Sequence, residues 1–314
     1  MAAALALSQR GRGRTAPNPN VGCVIIAQGR VIGRGWTQPG GRPHAEAMAL
    51  AEAGDAARGA IAYVTLEPCA HVSPRGPACA DLLVEAGIAR LVVALRDPDP
   101  RTDGLGLARL GEAGVEIVTG VGEAEAREAM AGFLTRRRLG RPLVTLKLAT
   151  SLDGRIARPD GESRWITGVE SRVHAHLERA RHEAILIGRG TLDADAPRLD
   201  VRLPGLEDRA PRRILLTRGA EVAGWERIAD PAEIAGLAGV DHLLVEGGAE
   251  TASAFLRAGL VDRLLLYRAP ILIGSGKAAL GNIGLDRLSD AHGRWRLADS
   301  RQLGSDRLEV YRAG

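Results

Sequence analysis

Apolar and polar positions along the 314-residue chain alternate between short apolar runs and longer amphipathic stretches. The runs at 21–26 and 60–66 predict strands, and HAEAMALAEAG between them predicts a helix closed by Gly54. CADLLVEAG predicts a second helix closed by Gly87, followed by a strand over 90–95; GEAGVEIVTGV then supplies a turn and a further strand. The stretch 123–137 reads as one closing helix. Arg141-Pro142 ends that pattern, because a residue before proline is pushed out of the helical region. Residues 1–141 are therefore expected to form one α/β sandwich, with no long linker after it.

The remainder, 142–314, opens with the strand LVTLKLA and passes through a polar loop to the helix SRVHAHLERARH and the strand AILIG. RRILLT, DHLLVEGG, the helix ETASAFLRAG and the strand DRLLLYRAPIL follow. Strands regularly separated by helices predict a second α/β domain with a mostly parallel sheet. No internal repeat or low-complexity tract interrupts either half.

Composition narrows the class. Apolar residues are 45% and charged residues 25%, the profile of a globular chain, and no apolar segment approaches membrane-spanning length. The short apolar run at the N-terminus precedes its basic residues, the reverse of a secretory signal, so a cytoplasmic enzyme is expected. The net charge of +4 is scattered, and the one basic run, Arg136 to Arg138, is too short for a nucleic-acid-binding tail. Three cysteines are too few for a disulfide scaffold, which directs attention to metal binding.

His44-Ala45-Glu46, Pro68-Cys69 and Cys79 form the strongest chemical pattern. Two thiolates and an imidazole balance a zinc ion and leave one position for water, the donor set of a hydrolytic deaminase. Zinc lowers the pKa of such a water from near 16 to about 7. A carboxylate that does not ligate the metal must then carry protons to the departing amine, and Glu46 is the candidate. Residues two apart in mid-helix point about 200° from each other, so His44 and Glu46 share a site only if His44 stands at the helix start. Cys79 is likewise expected at a helix start, where the dipole favours a thiolate. A closed structural site with Cys23 as fourth ligand is the alternative, but Cys23 lies inside the apolar run VGCVII, where core burial is expected.

TAPNPNVGCVI, PHAEAMAL and TLEPCAH resemble the deaminase half of the bifunctional riboflavin-biosynthesis deaminase/reductases. KLATSLDGRIA, GESRWITG, TLDADAPRLDVR and LLVEGGAETASAFL resemble the reductase half, in the same order. The resemblance implies a cytidine-deaminase-like α/β/α sandwich followed by a dihydrofolate-reductase-like α/β domain. It implies zinc-dependent deamination of a diaminopyrimidinone ribosylamine phosphate, then NADPH reduction of the ribosyl chain to ribityl. It also implies a homo-oligomer assembled through the reductase halves; the apolar segment LLLYRAPILIG suits such a contact and reads equally well as a buried strand.

Carried over residue by residue, the resemblance assigns Asn20 to the pyrimidine edge, as suits an amide with paired donor and acceptor. In the second half it assigns Ser163, Arg179, Leu199, Arg202 and Glu246 to the substrate, and Ala149, Trp165, Thr191, Asp195, Gly248 and Ala249 to the cofactor. Arginines suit a phosphorylated sugar because the guanidinium fork matches phosphate geometry. No GxGxxG follows a strand, so a Rossmann site is not expected. VEGGAET instead offers glycines and a helix start to a phosphate. Hydride transfer needs no protein nucleophile, and Asp195 is the acid singled out for testing. CAHVSPRGPAC is one residue longer than the expected form, which leaves the substrate roles of His71 and Arg75 open. The rival reading, a zinc deaminase of another nucleobase or of nucleic acid with a non-reducing second domain, would need stacking aromatics, and aromatics are only 3% of the chain.

Overall fold

Two glycines bring the second helix onto the sheet. The computed structural model describes residues 1–314, and the chain divides into two units, Met1–Gly140 and Arg141–Gly314. In the first unit, α1 (Ala2–Ser8) precedes a hairpin of β1 (Gly22–Ala27) and β2 (Arg30–Trp36), after which α2 (Ala45–Ala53) lies directly on β2. A Cβ at Gly35 would stand 1.9 Å from the Ala45 carbonyl oxygen, and one at Gly33 would stand 2.1 Å from that of Ala49. Only bare backbone allows this approach. The same glycines, interleaved with arginines, hide β2 from a reading of apolar alternation. The strand exists because the Gln28-Gly29 turn, with positive φ at both residues, folds it back on β1.

The unit continues through β3 (Ile61–Val64), α3 (Cys79–Glu85), β4 (Arg90–Val93), α4 (Leu105–Glu112), β5 (Glu116–Thr119), α5 (Glu123–Ala129) and α6 (Ala131–Leu139). Its sheet has the order β2-β1-β3-β4-β5, with β3, β4 and β5 parallel and β1 antiparallel to both its neighbours. Cys23, Ile25, Val64, Leu83, Leu91 and Phe133 belong to one buried core. The expected single closing helix is two. Met130 leaves helical geometry (φ −107°, ψ 19°), and beside it the Ala129 carbonyl accepts from Asn20 Nδ2 at 3.1 Å.

In the second unit the order is β6 (Leu143–Thr150), β7 (Arg155–Ala157), α7 (Val169–Arg179), β8 (Ala184–Gly188), α8 (Arg189–Asp195), β9 (Arg212–Leu216) and β10 (Glu226–Ile228). Then come β11 (His242–Val245), α9 (Ala249–Arg257), β12 (Arg263–Arg268), β13 (Lys277–Ala278), β14 (Trp295–Leu303) and β15 (Asp306–Ala313). Eight strands form one sheet, β10-β9-β8-β11-β6-β12-β15-β14, parallel from β10 through β12 and antiparallel beyond. β8 is buried throughout: Ala184 and Leu186 join one core, Ile185 and Ile187 another. Burial on both faces is why the run AILIG is continuously apolar. β14 is mostly exposed and charged, and it is held by its ladder to β15.

Period-two alternation on β6 sends Val144, Leu146 and Leu148 into one core and leaves Lys147 and Ala149 on the opposite face, where a cavity opens. No helix is long and apolar enough to cross a membrane.

Candidate active sites

His44 is the N-cap of α2, with extended backbone (φ −74°, ψ 164°), while Glu46 lies in the first turn, buried. The chain's change of direction at the cap lets both side chains reach one place, the condition the two-residue spacing demands. Cys79 is the first residue of α3, and Cys69 sits in the loop after β3. His44 Nδ1 lies 3.3 Å from Cys79 Sγ and 3.6 Å from Cys69 Sγ, and the three potential ligand atoms fall within 4.8 Å of one another. The Cys79 amide donates to Cys69 Sγ at 3.3 Å.

Hydrogen bonding from Cys79 and from His44 pulls the Cys69 thiol down to about 4, while the same shared bond and burial push Cys79 up. A convergent, buried nitrogen and two sulfurs, one already favoured as thiolate, fit a zinc ion. Glu46 is raised to about 7, first by burial, with Cys69 adding to the rise and His44 opposing it. Cys23 is fully buried in the core of β1 and stands outside the donor set, so a closed four-ligand site does not form.

A cavity of about 220 Å³ leads to these groups and is lined by Asn18, Thr37, His71, Arg75, Asp97 and others. Asn20 is not among them. It is buried, and its amide donates to the Ser8 and Ala129 carbonyls at 3.2 and 3.1 Å, so its assignment to the pyrimidine edge is corrected. Asn18, two residues earlier, faces the cavity: Nδ2 lies 2.9 Å from His44 Nε2, and Oδ1 accepts from Arg75 at 3.3 Å. The sequence signal for choosing between them was slight, since both asparagines sit beside prolines. Despite its extra residue, the loop between the cysteines keeps His71 and Arg75 on the cavity wall, with Arg75 also donating to the Gly40 carbonyl.

The segment between β4 and α4 supplies groups that pattern reading missed. Asp99 accepts ion pairs from Arg101 and Arg137, which hold its carboxyl well below the usual range. Asp97 beside it is raised to about 6 by burial. Glu67 accepts from the Asp97, Gly104, Gly106 and Leu107 amides and thereby fixes this segment.

In the second unit a cavity of about 470 Å³ brings together Ala149, Ser163, Trp165, Arg179, Thr191, Asp195, Leu199, Arg202 and Glu246, all anticipated, from segments far apart in sequence. Arg179 Nε and an Nη bind the two oxygens of Glu246 at 2.8 Å each. Burial pushes Glu246 up, but Arg179 and Lys147 outweigh it and hold it at about 2. Gly248 and Ala249 do not line this cavity, and the Gly248 amide donates to Thr191 Oγ1 at 3.1 Å; the expectation of a free amide there is corrected. Asp195 is at the rim, its carbonyl and carboxylate facing Arg164 at 2.9 and 3.7 Å. Lys147 and His176 also line the cavity and were missed. Lys147 lies within the motif KLATSLDGRIA, and the signal for it is a lysine at an inward position of an otherwise apolar strand.

Residues 1–95 match the family model for the cytidine and deoxycytidylate deaminase zinc-binding region, and residues 142–232 and 232–308 match that for the RibD C-terminal domain. The chain is 40% identical to the riboflavin biosynthesis protein RibD of Escherichia coli, over 98% of this chain and 96% of that one. It is 39% identical to RibD of Mycobacterium tuberculosis, over 98% and 95%. Among solved structures, Acinetobacter baumannii RibD superposes with a TM-score of 0.90 at 36% identity, covering 99% of this chain and 97% of that one. The Thermotoga maritima diaminohydroxyphosphoribosylaminopyrimidine deaminase/5-amino-6-(5-phosphoribosylamino)uracil reductase superposes at 0.88 with 32% identity and the same coverage. With the dithiol and imidazole group in one unit and the reductase fold in the other, the chain belongs to the RibD family, the bifunctional zinc-dependent deaminases and NADPH-dependent reductases of riboflavin biosynthesis.

Proposed function

We propose that the first domain hydrolyses the exocyclic amine of a diaminopyrimidinone ribosylamine 5′-phosphate and that the second reduces the ribosyl chain of the resulting aminouracil to ribityl. The observation that carries this reading is the presence in one chain of a His44, Cys69 and Cys79 donor set beside a buried carboxyl, and of a cation-lined cavity of about 470 Å³. That volume is ordinary for a small-molecule site.

His44, Cys69 and Cys79 hold zinc, which when bound supplies an acidified water. Glu46 would carry one proton of such a water to the amine, which leaves as ammonia, while the second passes to the adjacent ring nitrogen as the ring carbon becomes a carbonyl. Burial raises Glu46 above the usual carboxylate range, the direction required of a group that must both accept and give a proton. Asn18 faces the ring, and Arg75 at the wall suits the substrate phosphate.

NADPH supplies the hydride when bound. The chain manages the proton: the carbon to oxygen bond of the sugar ring breaks as the ribosyl nitrogen's lone pair forms an iminium, and Lys147 protonates the ring oxygen. Reduction of the iminium carbon is completed by the one hydride that NADPH would supply, the chain contributing the one proton. Arg179, Arg202 and Glu246, with Ser163 and Leu199, hold the substrate. Ala149, Trp165, Thr191 and Asp195 hold the cofactor.

Incubating the purified chain with the ribosylamine phosphate tests the scheme. Ammonia is expected without NADPH, and NADPH oxidation is expected to follow in equal amount once NADPH is added. Ammonia without oxidation would reject the second half; the absence of both would reject the whole reading.

We further infer a cytoplasmic location, supported by the requirement for two reduced thiols, and self-association through the reductase domain. β12 itself is consumed inside the sheet, but Ile271 and Leu272 after it are exposed. Light scattering that finds only monomer would remove the latter inference.

A further inference from the structure

The partly buried ammonium of Lys147 has an unusual set of neighbours. Its Nζ is 3.9 Å from Glu246 Oε2, and that oxygen already accepts from Arg179 at 2.8 Å. On another side, 5.9 Å away, is the centroid of the Tyr267 ring. The register explains the meeting: β12 runs parallel to β6 with Leu265 opposite Lys147 and Tyr267 opposite Ala149, so all four side chains share a face. Val245 pairs with Leu146, which sets Glu246 beside Lys147 in the same way.

Tyr267 is 1% exposed, and its hydroxyl meets His174 Nδ1 at 2.7 Å. Burial raises the phenol and lowers His174, so the neutral phenol donates to the neutral imidazole. The hydroxyl is thereby directed to α7, and the ring presents its face to the ammonium. Glu246 after β11 and Arg179 on α7 act on the ammonium, Glu178 on α7, Arg263 on β12 and Arg301 on β14 act with Glu246 on the phenol, and His176 and Asp200 line the same cavity. A further carboxylate in the ring's place would take up the ammonium's N–H groups; an aromatic face attracts a cation electrostatically and accepts no such bond.

We infer that Tyr267 is a positioning residue for the reductive step: its ring face holds the Lys147 ammonium in the cavity while leaving the N–H donors to the substrate, and His174 fixes the ring. The inference rests on Lys147 as the proton source.

The test uses the full chain, supplied with the deaminated ribosylamine phosphate and NADPH. Tyr267→Phe keeps the ring and is expected to retain kcat within about threefold, whereas Tyr267→Leu is expected to lose about tenfold or more in kcat with both KM values unchanged. The leucine variant is also expected to move the alkaline limb of the pH profile to lower pH, because the ammonium has lost a stabilising neighbour. A melting curve of the full chain reports folding of the second domain.

If Tyr267→Leu does not fold, stepwise fluorination of a phenylalanine at this position weakens the ring's negative face at nearly constant volume. A graded fall in kcat supports the inference; insensitivity of both kcat and the pH limb to fluorination overturns it. Lys147→Met separates the two levels. If this variant keeps kcat, the proton-source reading fails; if it loses kcat while the ring variants do not, the role of Tyr267 alone fails.

Discussion

Glu46 and Glu246 are both buried carboxyls in cavities, and desolvation pushes both upward, yet they finish on opposite sides of the ordinary value near 4.5. Glu46 rises to about 7 because its principal cationic neighbour is one imidazole and a thiolate opposes it. Glu246 falls to about 2 because a guanidinium grips both its oxygens and an ammonium lies near. The difference teaches which half moves protons with its carboxylate and which uses one as a fixed charge. On the proposed mechanism the acid of the first unit titrates during turnover, whereas that of the second stays ionised and organises cations around substrate.

Breaking this contrast at its strongest point, Glu46→Gln is expected to cut ammonia release by about a thousandfold or more while zinc content, read by metal analysis, and reductase turnover hold. An unchanged deamination rate would remove Glu46 from the proton path. The counterpart, Arg179→Ala, leaves Glu246 buried without its main partner. It is expected to lower reductase kcat/KM by about a hundredfold and to destabilise the second unit by roughly 3–5 kcal/mol, seen in denaturant melts.

The same pair predicts a pH effect. Glu246 has a folded pKa below its unfolded one, so its contribution to stability is present above about 4.5 and is lost as pH falls toward about 2. Acid titration of the wild-type second unit should show this loss, and Glu246→Gln should flatten it. A smaller effect, about tenfold, is expected for Arg75→Ala on KM for the phosphorylated substrate, with kcat nearly unchanged. Asn20→Ala sharpens the comparison by doing least to kinetics: KM should not move, and stability should drop by about 1–3 kcal/mol because two backbone carbonyls lose a donor. A raised KM with unaltered stability would restore Asn20 to the substrate.

The two sites differed as much in legibility as in charge. His44, Glu46, Cys69 and Cys79 lie within a short stretch, Cys69 in a loop and the other three at helix starts that periodicity reveals, and metal chemistry permits few residue types. The reductase cavity draws on strand positions and loops spread from Lys147 to Glu246. There the cofactor carries the reacting hydride, so no short motif is forced on the chain, and the residues emerged through family resemblance. Lys147 escaped because a lone lysine in a strand is chemically ambiguous until its face is known. β2 and β14 escaped because glycine, arginine and exposed charge break the apolar alternation, and their pairing with β1 and β15 decides their form.

By itself the sequence determined the α/β alternation, the helix starts and the identity of the zinc donors, because these depend on local period, capping and ligand chemistry. The tertiary structure decided which asparagine faces the deaminase cavity, where α2 rests on Gly33 and Gly35, and how Arg179, Lys147 and Tyr267 surround Glu246 and the cavity floor. Those outcomes depend on strand register and on which groups are desolvated together, quantities that exist only once distant segments have met.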